Sequence, residues 1–141
     1  MERKIGFITG VFGLFHIGHL NILRQSHKYC DYLIVACAVD EFVKNKKGKY
    51  PFIPFGERIQ ILEAIKYIDK VVPQIQNNKL EMWKKFQFNI IFVGDDWKGT
   101  QEWNEYEEAF PKIGVELIYF PYTRGISSSQ LREIIEKSLE L

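Results

Sequence analysis

The sequence has little of what several classes of protein require. Its 141 residues suit one domain, which we expect to span residues 1–141. Two cysteines, Cys30 and Cys37, are too few for a disulfide scaffold or a four-cysteine zinc site. We interpret both as free thiols, and we expect a cytoplasmic location and no metal ligands from the protein.

Long apolar runs and an excess of one charge are also absent. No run approaches the ~20 apolar residues of a membrane span, and the apolar N-terminal segment is broken by glycines without a signal-peptide cleavage site. Nineteen Lys and Arg residues face eighteen Asp and Glu, a net charge of +1. Binding along nucleic acid depends on many basic contacts with phosphate. We therefore expect no membrane and no nucleic-acid partner, whereas a small anionic ligand remains open.

Short β-rich runs alternate with helical patterns along the whole chain. The predicted strands lie at 4–9, 31–39, 70–72, 88–93 and 115–120, and the predicted helices at 17–29, 55–67, 79–86 and 128–139. This alternation predicts an α/β fold, a Rossmann-like open parallel sheet with helices on both faces. The polar stretch 44–49 is predicted to be irregular. Ligands bind such sheets outside the carboxyl ends of the strands, so the turns after the strands are the candidate sites.

The turn after the first strand contains Gly10, Val11 and Phe12 and leads into a helix that begins near His16. Glycine allows close approach of the backbone, and a helix N-terminus offers free N–H groups and partial positive charge to a phosphate. His16 and His19 are three residues apart and share one face of the helix. A purely structural pair of hydrogen-bonded histidines is the alternative, but the position of the pair favours a functional role.

The fourth predicted strand ends in Gly94-Asp95-Asp96-Trp97. Two carboxylates here could bind a metal, accept hydrogen bonds from a nucleotide, or cap the next helix. A cap needs only one of them, so we favour a functional role, in binding either a metal or a nucleotide.

A third polar turn precedes the last helix. Ser127 and Gln130 match a capping box. The turn also contains Thr123, Arg124 and Gly125, which exceed what a cap requires and indicate a second anion site. The lysines at positions 44, 46, 47 and 49 are either a solvated loop or a loop that folds over a triphosphate, and both interpretations stay open.

The sequence contains neither a Gly-x-x-x-x-Gly-Lys phosphate loop nor a cysteine in an electropositive turn. If the substrate carries its own nucleophile, the protein does not have to supply a nucleophilic side chain. A phosphate monoester, with a second pKa of about 6, is mostly dianionic at neutral pH. An enzyme that joins it to a nucleotide needs only to align the two and to stabilise charge as pyrophosphate leaves.

Three motifs, in order and spacing, resemble those of the HxGH nucleotidyltransferases, and within them the glycerol-3-phosphate cytidylyltransferases. His16-Ile17-Gly18-His19 is similar to the signature motif. Gly94-Asp95-Asp96-Trp97-x-Gly99 is similar to a stretch of the cytidylyltransferases for glycerol phosphate, phosphocholine and phosphoethanolamine. Gly125-Ile126-Ser127-Ser128-Ser129 looks like the family's second motif. The likeness covers nearly the whole chain.

The resemblance implies that CTP and a small phospho-alcohol such as sn-glycerol 3-phosphate give a CDP-alcohol and pyrophosphate. It further implies Mg²⁺ bound through the nucleotide phosphates, a homodimer, and a product used for cell-surface polymers. The catalytic residues implied are His16, His19, Lys46 and Arg124, and the substrate-binding residues are Lys46, Arg58 and Lys66. The nucleotide-binding residues implied are Gly10, Val11, Phe12, His16, His19, Gly94, Asp95, Asp96, Trp97, Thr123, Gly125, Ile126, Ser127, Ser128 and Ser129.

Three positions depart from the family pattern. The family has aspartate where this chain has Gly13, arginine where it has Tyr122, and glutamate where it has Arg124. Two alternatives to a cytidylyltransferase therefore stay open. One is an adenylyltransferase of the same superfamily that uses ATP with a sugar phosphate or a flavin nucleotide. The other is a nucleotide-binding homologue with impaired catalysis.

Overall fold

Strands and helices alternate along residues 3–121 and 127–139, the part of the chain that the computed structural model describes. The strands there are β1 (Ile5–Gly10), β2 (Tyr32–Ala38), β3 (Lys70–Gln74), β4 (Ile90–Gly94) and β5 (Glu116–Phe120). The helices are α1 (Ile17–His27), α2 (Asp40–Lys47), α3 (Phe55–Glu63), α4 (Lys79–Phe86), α5 (Gln101–Lys112) and α6 (Ser128–Leu139). A single 3-10 turn over Asp95–Trp97 directly follows β4. No helix within these residues combines the length and apolarity needed to cross a bilayer.

The five strands form one parallel sheet in the order β3-β2-β1-β4-β5. This confirms the predicted α/β fold. Strand order reverses between β1 and β4, which is where ligands bind in such sheets. β1 pairs with β2 along its full length, from Ile5↔Tyr32 to Gly10↔Cys37. It pairs with β4 only at Gly6↔Ile90 and Phe7↔Ile91, so a crevice opens between β1 and β4 towards their carboxyl ends.

Both faces of the sheet are covered. On one face Phe7 and Ile91 pack with Met82 of α4 and with Trp103 and Phe110 of α5. On the other face a second apolar cluster unites the sheet with α1 and α3; its members include Leu23, Leu33, Leu62, Ile90 and Phe92. Strands covered on both sides read as continuous apolar runs rather than as alternating ones, which is why 31–39 and 88–93 were recognisable.

The sequence reading missed two helices. The stretch 44–49 is not irregular throughout, because its first four residues complete α2. Acidic residues in the first turn of α2 and lysines in its last turn complement the helix dipole, and Gly48 ends it with a φ of 80°. Because Val43 is the buried residue of α2, the helix lacks the apolar stripe that would have revealed it.

The second missed helix, α5, begins at an N-cap formed by Thr100, whose hydroxyl accepts from the Trp103 N–H. Its buried residues are Trp103, Tyr106 and Phe110. This spacing is typical of one helical face and was available in the sequence. The predicted bounds of α4 and α6 match the observed ones. Those of the other elements differ by up to four residues, the largest difference being the end of α3 at Glu63 rather than at 67.

Candidate active site

A cavity of about 530 Å³ opens at the carboxyl edge of the sheet. The turn after β1 forms one wall of it, and α2, the start of α4 and the start of α6 contribute the others. Its basic residues are Lys46, Lys47, Lys49, Lys79 and Arg132, and its aromatic residues include Phe42, Phe52, Trp97 and Trp103. Among the described residues, no aspartate or glutamate lines it. A cavity with this charge balance attracts an anionic ligand.

The turn after β1 is shaped by Gly10 and Phe12, both of which line the cavity with Val11 between them. Phe12 has a φ of 52°, in the left-handed region that non-glycine residues seldom occupy. Its ring covers Gly10 so closely that a Cβ there would lie 2.7 Å from a ring carbon. A side chain at position 10 of the predicted nucleotide-binding turn would therefore have to displace the Phe12 ring.

Gly13, in the same turn, is under no such constraint. Its φ is not in the left-handed region, and a Cβ would meet only the Cγ1 atom of Val11, at 3.7 Å. That is ordinary van der Waals contact. The aspartate that the resembled family has here would therefore fit this backbone without strain.

His16 and His19 form the N-terminal cap of α1. The Gly18 N–H donates to His16 Nδ1 at 3.0 Å, and the His16 N–H donates to His19 Nδ1 at 3.2 Å. The two ring centroids are 4.0 Å apart. His19 lies against the Phe12 and Phe15 rings and lines the cavity. The two rings lie side by side as predicted, with His16 at the N-cap of α1, and His19 is the one of the two that lines the cavity.

These hydrogen bonds determine which ring nitrogen carries the proton. A neutral imidazole has one donor and one acceptor nitrogen, and here Nδ1 is the acceptor in both rings. Each neutral ring therefore presents an Nε2–H donor. Desolvation lowers the pKa of His16, and desolvation together with the nearby His16 lowers the pKa of His19 to about 4. At neutral pH the pair is uncharged and donates hydrogen bonds.

Lys46, the predicted catalytic lysine, projects from α2 into the cavity. Its Nζ lies 5.5 Å from the centroid of the Trp97 ring and donates to Asn77 Oδ1 at 3.4 Å. The cation–π contact links α2 to the turn after β4. Lys47 also lines the cavity, and desolvation and the neighbouring Lys46 and Arg132 lower its pKa.

The turn after β4 brings only part of its predicted motif to the cavity. Trp97 lines it, and 41% of this residue is exposed. Asp95 and Asp96 are exposed residues of the 3-10 turn and do not line it. A Cβ at Gly94 would lie 2.6 Å from Asp96 Oδ1, so this glycine lets Asp96 fold back on the strand end.

The first two serines of α6 reach the same cavity from the other side. Ser128 and Ser129 line it, and Ser128 Oγ donates to the Leu14 carbonyl at 3.0 Å. Ser127 Oγ accepts from the Gln130 N–H at 3.1 Å, as the predicted cap requires. The predictions for Tyr122, Thr123, Arg124, Gly125 and Ile126 lie outside the described residues.

Arg58 and Lys66, predicted to bind the acceptor, do not line the cavity. Arg58 is 1% exposed and donates to the carbonyls of Val11, Ala38 and Ile53 at 2.7 to 2.9 Å and to Asp40 Oδ1 at 2.6 Å. It holds the turn after β1 against β2 and α2. Lys66 is exposed and lies over the Tyr67 ring.

Sequence reasoning missed four residues at or beside the cavity: Asn77, Lys79, Glu102 and Arg132. Asn77 and Lys79 follow the carboxyl end of β3, where ligands bind such sheets, so the sequence did contain a signal for them. Glu102 belongs to the unpredicted α5. Arg132 lies on α6 over the Phe52 ring, at 4.2 Å, and no sequence pattern indicates that contact.

The chain is similar in sequence to known proteins along most of its length. Residues 7–134 match the family described as cytidylyltransferase-like. The glycerol-3-phosphate cytidylyltransferase of Staphylococcus aureus (strain NCTC 8325 / PS 47) is 35% identical over 136 residues, covering 94% of this chain and 94% of that protein. The FAD synthase of Pyrococcus abyssi (strain GE5 / Orsay) is 34% identical over 144 aligned residues, covering 99% and 96%.

A solved structure extends the likeness to three dimensions. The lipopolysaccharide core biosynthesis protein from Thermoplasma volcanium GSS1 superposes with a TM-score of 0.72, covering 89% of this chain and all of that one. Its sequence identity is 24%, so the likeness concerns the fold alone.

Proposed function

Because the chain belongs to the cytidylyltransferase-like family of nucleotidyltransferases, we propose that it transfers a cytidylyl group from CTP to sn-glycerol 3-phosphate. The observation that carries the proposal is the His16–His19 pair. Two neutral imidazoles with Nε2–H donors, at a helix N-terminus beside a basic cavity, suit the charge that develops on a triphosphate during displacement.

The reaction needs no nucleophile from the protein. An oxygen of the dianionic acceptor phosphate attacks the α-phosphorus of CTP, and a new P–O bond forms. The bond from the α-phosphorus to the bridging oxygen breaks, and its electron pair leaves with pyrophosphate. No proton has to be removed from the acceptor, since a phosphate monoester is mostly dianionic at neutral pH.

The residues around the cavity have different roles toward the phosphates of CTP. The Nε2–H groups of His16 and His19 donate to oxygens of the triphosphate and stabilise the transition state. Lys46 and Arg132 neutralise phosphate charge from two different helices. Ser128 and Ser129, at the start of α6, hold the departing pyrophosphate, because hydroxyls and free N–H groups at a helix N-terminus bind anions.

Mg²⁺ would be held by the phosphates of CTP. The described residues contain no group of three or more histidine, cysteine, aspartate or glutamate side chains that could hold a metal ion, and the described cavity lining is basic. These residues fit a metal bound through the nucleotide phosphates rather than one bound by the protein. When bound, the ion would shield negative charge on the triphosphate, and the histidines and lysines would orient the nucleotide.

A second candidate is adenylyl transfer from ATP to a flavin nucleotide. The observation that favours it is the likeness to the FAD synthase of Pyrococcus abyssi, whose identity nearly equals that to the Staphylococcus aureus cytidylyltransferase. The first candidate is preferred because Gly94-Asp95-Asp96-Trp97 resembles the cytidylyltransferase stretch and Trp97 lines the cavity.

Pyrophosphate release tests the two candidates directly. Purified protein is incubated with Mg²⁺ and with CTP or ATP, each combined with sn-glycerol 3-phosphate or FMN. We expect turnover with CTP and glycerol 3-phosphate. Turnover with ATP and FMN alone would replace the first candidate by the second, and no turnover in any combination would favour the homologue with impaired catalysis.

Three further proposals come from the resemblance. The active form is a homodimer located in the cytoplasm, and its product serves the synthesis of a cell-surface polymer. Sedimentation velocity at micromolar concentration tests the first point, and a monomer with full activity would contradict it.

A further inference from the structure

The ammonium group of Lys46 lies over two aromatic rings of the cavity wall. Its Nζ is 5.5 Å from the centroid of the Trp97 ring and 5.8 Å from the centroid of the Phe42 ring. Phe42 precedes Lys46 by four residues on α2, a spacing that brings side chains together on one helix face. Trp97 belongs to the 3-10 turn after β4. Both distances are within the range over which a ring face attracts a cation.

The contact with Trp97 joins elements on either side of β1. The helix α2 follows β2, the turn that contains Trp97 follows β4, and β1 lies between these two strands in the sheet. The contact therefore draws Lys46 across the carboxyl end of β1, towards the crevice between β1 and β4. There the ammonium group borders the same cavity as His19 of α1.

The two rings orient Lys46 without cancelling its charge. Among the described residues no carboxylate forms an ion pair with Lys46, and its hydrogen bond to Asn77 Oδ1 is long, at 3.4 Å. A carboxylate partner, such as the Glu102 carboxylate that holds Lys79 at 3.0 Å, would leave little net charge for a phosphate. A ring face attracts a cation through its quadrupole and has no net charge of its own. Lys46 therefore keeps its positive charge for a ligand.

Trp97 is not needed to pack either core. Neither apolar cluster of the described residues includes its side chain, and much of the residue is exposed. The backbone of its turn is held separately, because the Thr100 N–H and the Thr100 hydroxyl both donate to the Trp97 carbonyl, at 3.3 and 2.8 Å. We therefore expect replacement of the indole ring to leave the fold intact.

Resting on the proposed nucleotidyl transfer, we propose that Trp97 is a positioning residue that holds the Lys46 ammonium group where charge develops on the triphosphate. A lysine side chain is flexible and loses much conformational freedom when it is fixed. The Trp97 ring restricts that freedom before the nucleotide binds, so less of it is lost in the transition state. The inference holds for CTP and for ATP, because the triphosphate is common to both.

Substitutions of Trp97 separate the ring face from mere bulk. Trp97→Leu removes the ring, and kcat for pyrophosphate release should fall by about tenfold or more with the substrates that the wild type uses. Trp97→Phe retains a ring face and should keep kcat within about threefold of wild type. The KM for the nucleotide should change by less than about threefold in both variants. Equal losses of kcat in the two variants overturn the inference, as does a change confined to KM, which indicates direct contact between Trp97 and the nucleotide.

A double-mutant cycle shows whether Trp97 acts through Lys46. In the Lys46→Met background, Trp97→Leu should lower kcat by less than about twofold, because the group that the ring holds is absent. In the Lys44→Met background it should lower kcat by the full factor. Lys44 is the matched control, since it lies on the same helix, does not line the cavity and donates to the Gly48 carbonyl at 2.8 Å. Equal losses in the two backgrounds overturn the inference.

A wild-type protein that releases no pyrophosphate contradicts the proposed function, and the position of Lys46 is then tested without turnover. In NMR spectra of the protein with ¹³C-labelled lysine, the ε-CH₂ resonances of Lys46 are those absent from Lys46→Met. Since protons over an indole face are shielded, these resonances should lie upfield of those of Lys84, which is exposed and pairs with Glu81. They should move downfield in Trp97→Leu. Resonances at the position of Lys84, or an unchanged position in Trp97→Leu, overturn the inference.

Discussion

At the scale of single residues, the histidine pair occupies positions that other side chains fill better. His16 is the N-cap of α1 and His19 the third helical residue, and their side chains make the two hydrogen bonds of a capping box. Asparagine, serine or aspartate is preferred at the first position and glutamine or glutamate at the second. Two imidazoles where simpler side chains would cap the helix indicate a function beyond capping.

The double variant His16→Asn/His19→Gln separates the two roles. Both new side chains can make the capping hydrogen bonds, so we expect the free energy of unfolding at pH 7 to stay within about 1 kcal/mol of wild type. Both Nε2–H donors are lost, and turnover should fall by about 10²-fold or more. Urea denaturation and pyrophosphate release measure the two effects. Unchanged turnover in the folded double variant would return the pair to a purely structural role.

The low pKa of His19 predicts a pH-dependent stability. Desolvation and the neighbouring His16 lower it from 6.5 to about 4. Between these values the unfolded chain binds a proton that the folded chain does not, so the free energy of unfolding falls as the pH drops from 6.5 to 4. The loss from this group reaches at most about 3 kcal/mol. Urea denaturation of wild type and of His19→Gln at pH 7 and pH 4.5 should show a smaller decrease in the variant, and equal decreases would contradict the shift.

Gly13 lies in the turn after β1, at the position where the resembled family has aspartate. The backbone there accepts a Cβ without strain, and an aspartate would add a carboxylate that can accept from the turn's N–H groups or orient a nearby lysine. We predict that Gly13→Asp raises kcat/KM by about tenfold, equivalent to roughly 1.4 kcal/mol. Steady-state rates with CTP and glycerol 3-phosphate measure it. Gly13→Ala is the control, since it adds the Cβ without the charge, and an equal gain from both variants would exclude a role for the carboxylate.

At the scale of secondary-structure elements, Arg58 explains how four segments stay aligned under the site. It extends from α3 and donates to carbonyls at the ends of β1 and β2 and before α3, as well as to Asp40 at the start of α2. The substrate-binding role predicted for Arg58 was what the family resemblance implied. Its acceptors are mostly backbone carbonyls, which have no signature in a sequence.

Replacement of Arg58 should therefore disturb the whole edge of the sheet. Arg58→Met leaves the carbonyls of Val11, Ala38 and Ile53 without this donor, and we expect a loss of about 3 kcal/mol or more in the free energy of unfolding. Arg3→Met is the control, because Arg3 is exposed, and it should change stability by about 0.5 kcal/mol or less. Urea denaturation measures both. A stable Arg58→Met protein that had lost only acceptor binding would restore the substrate-binding prediction.

The elements also show where sequence patterns carry information. The buried strands and α1, α3, α4 and α6 were predictable because their apolar residues follow the periods of strands and helices. The helix α2 was not, since Val43 is its buried residue and most of the other residues are charged. Its position nonetheless decides where Lys46 and Lys47 lie. The aromatic face of α5 was visible in the sequence. The ion pair of Glu102 with Lys79 was not, because it forms only when α5 packs beside the start of α4.

At the scale of the whole molecule, the parallel sheet made the position of the candidate site predictable from the sequence. The geometry of the site was not predictable in this way. Alternating strands and helices require that the turns after the strands gather at one edge, and His19, Lys46, Trp97 and Ser128 do line one cavity there. The same logic could not give the strand order, so it could not show that the turn after β3 supplies Lys79 to the same cavity. That depends on crossovers and packing between distant parts of the chain.

The brief contact between β1 and β4 has a consequence for exchange of backbone amide protons with solvent. Beyond Phe7 and Ile91 the two strands no longer pair with each other, so the amides on their facing edges lack the protection of a shared ladder. Hydrogen–deuterium exchange should be faster for residues 8–13 and 92–97 than for residues 5–7 and 90–91. MgCTP should slow exchange in the first two segments only, because a nucleotide in the crevice binds where the sheet leaves its own hydrogen bonds unmade.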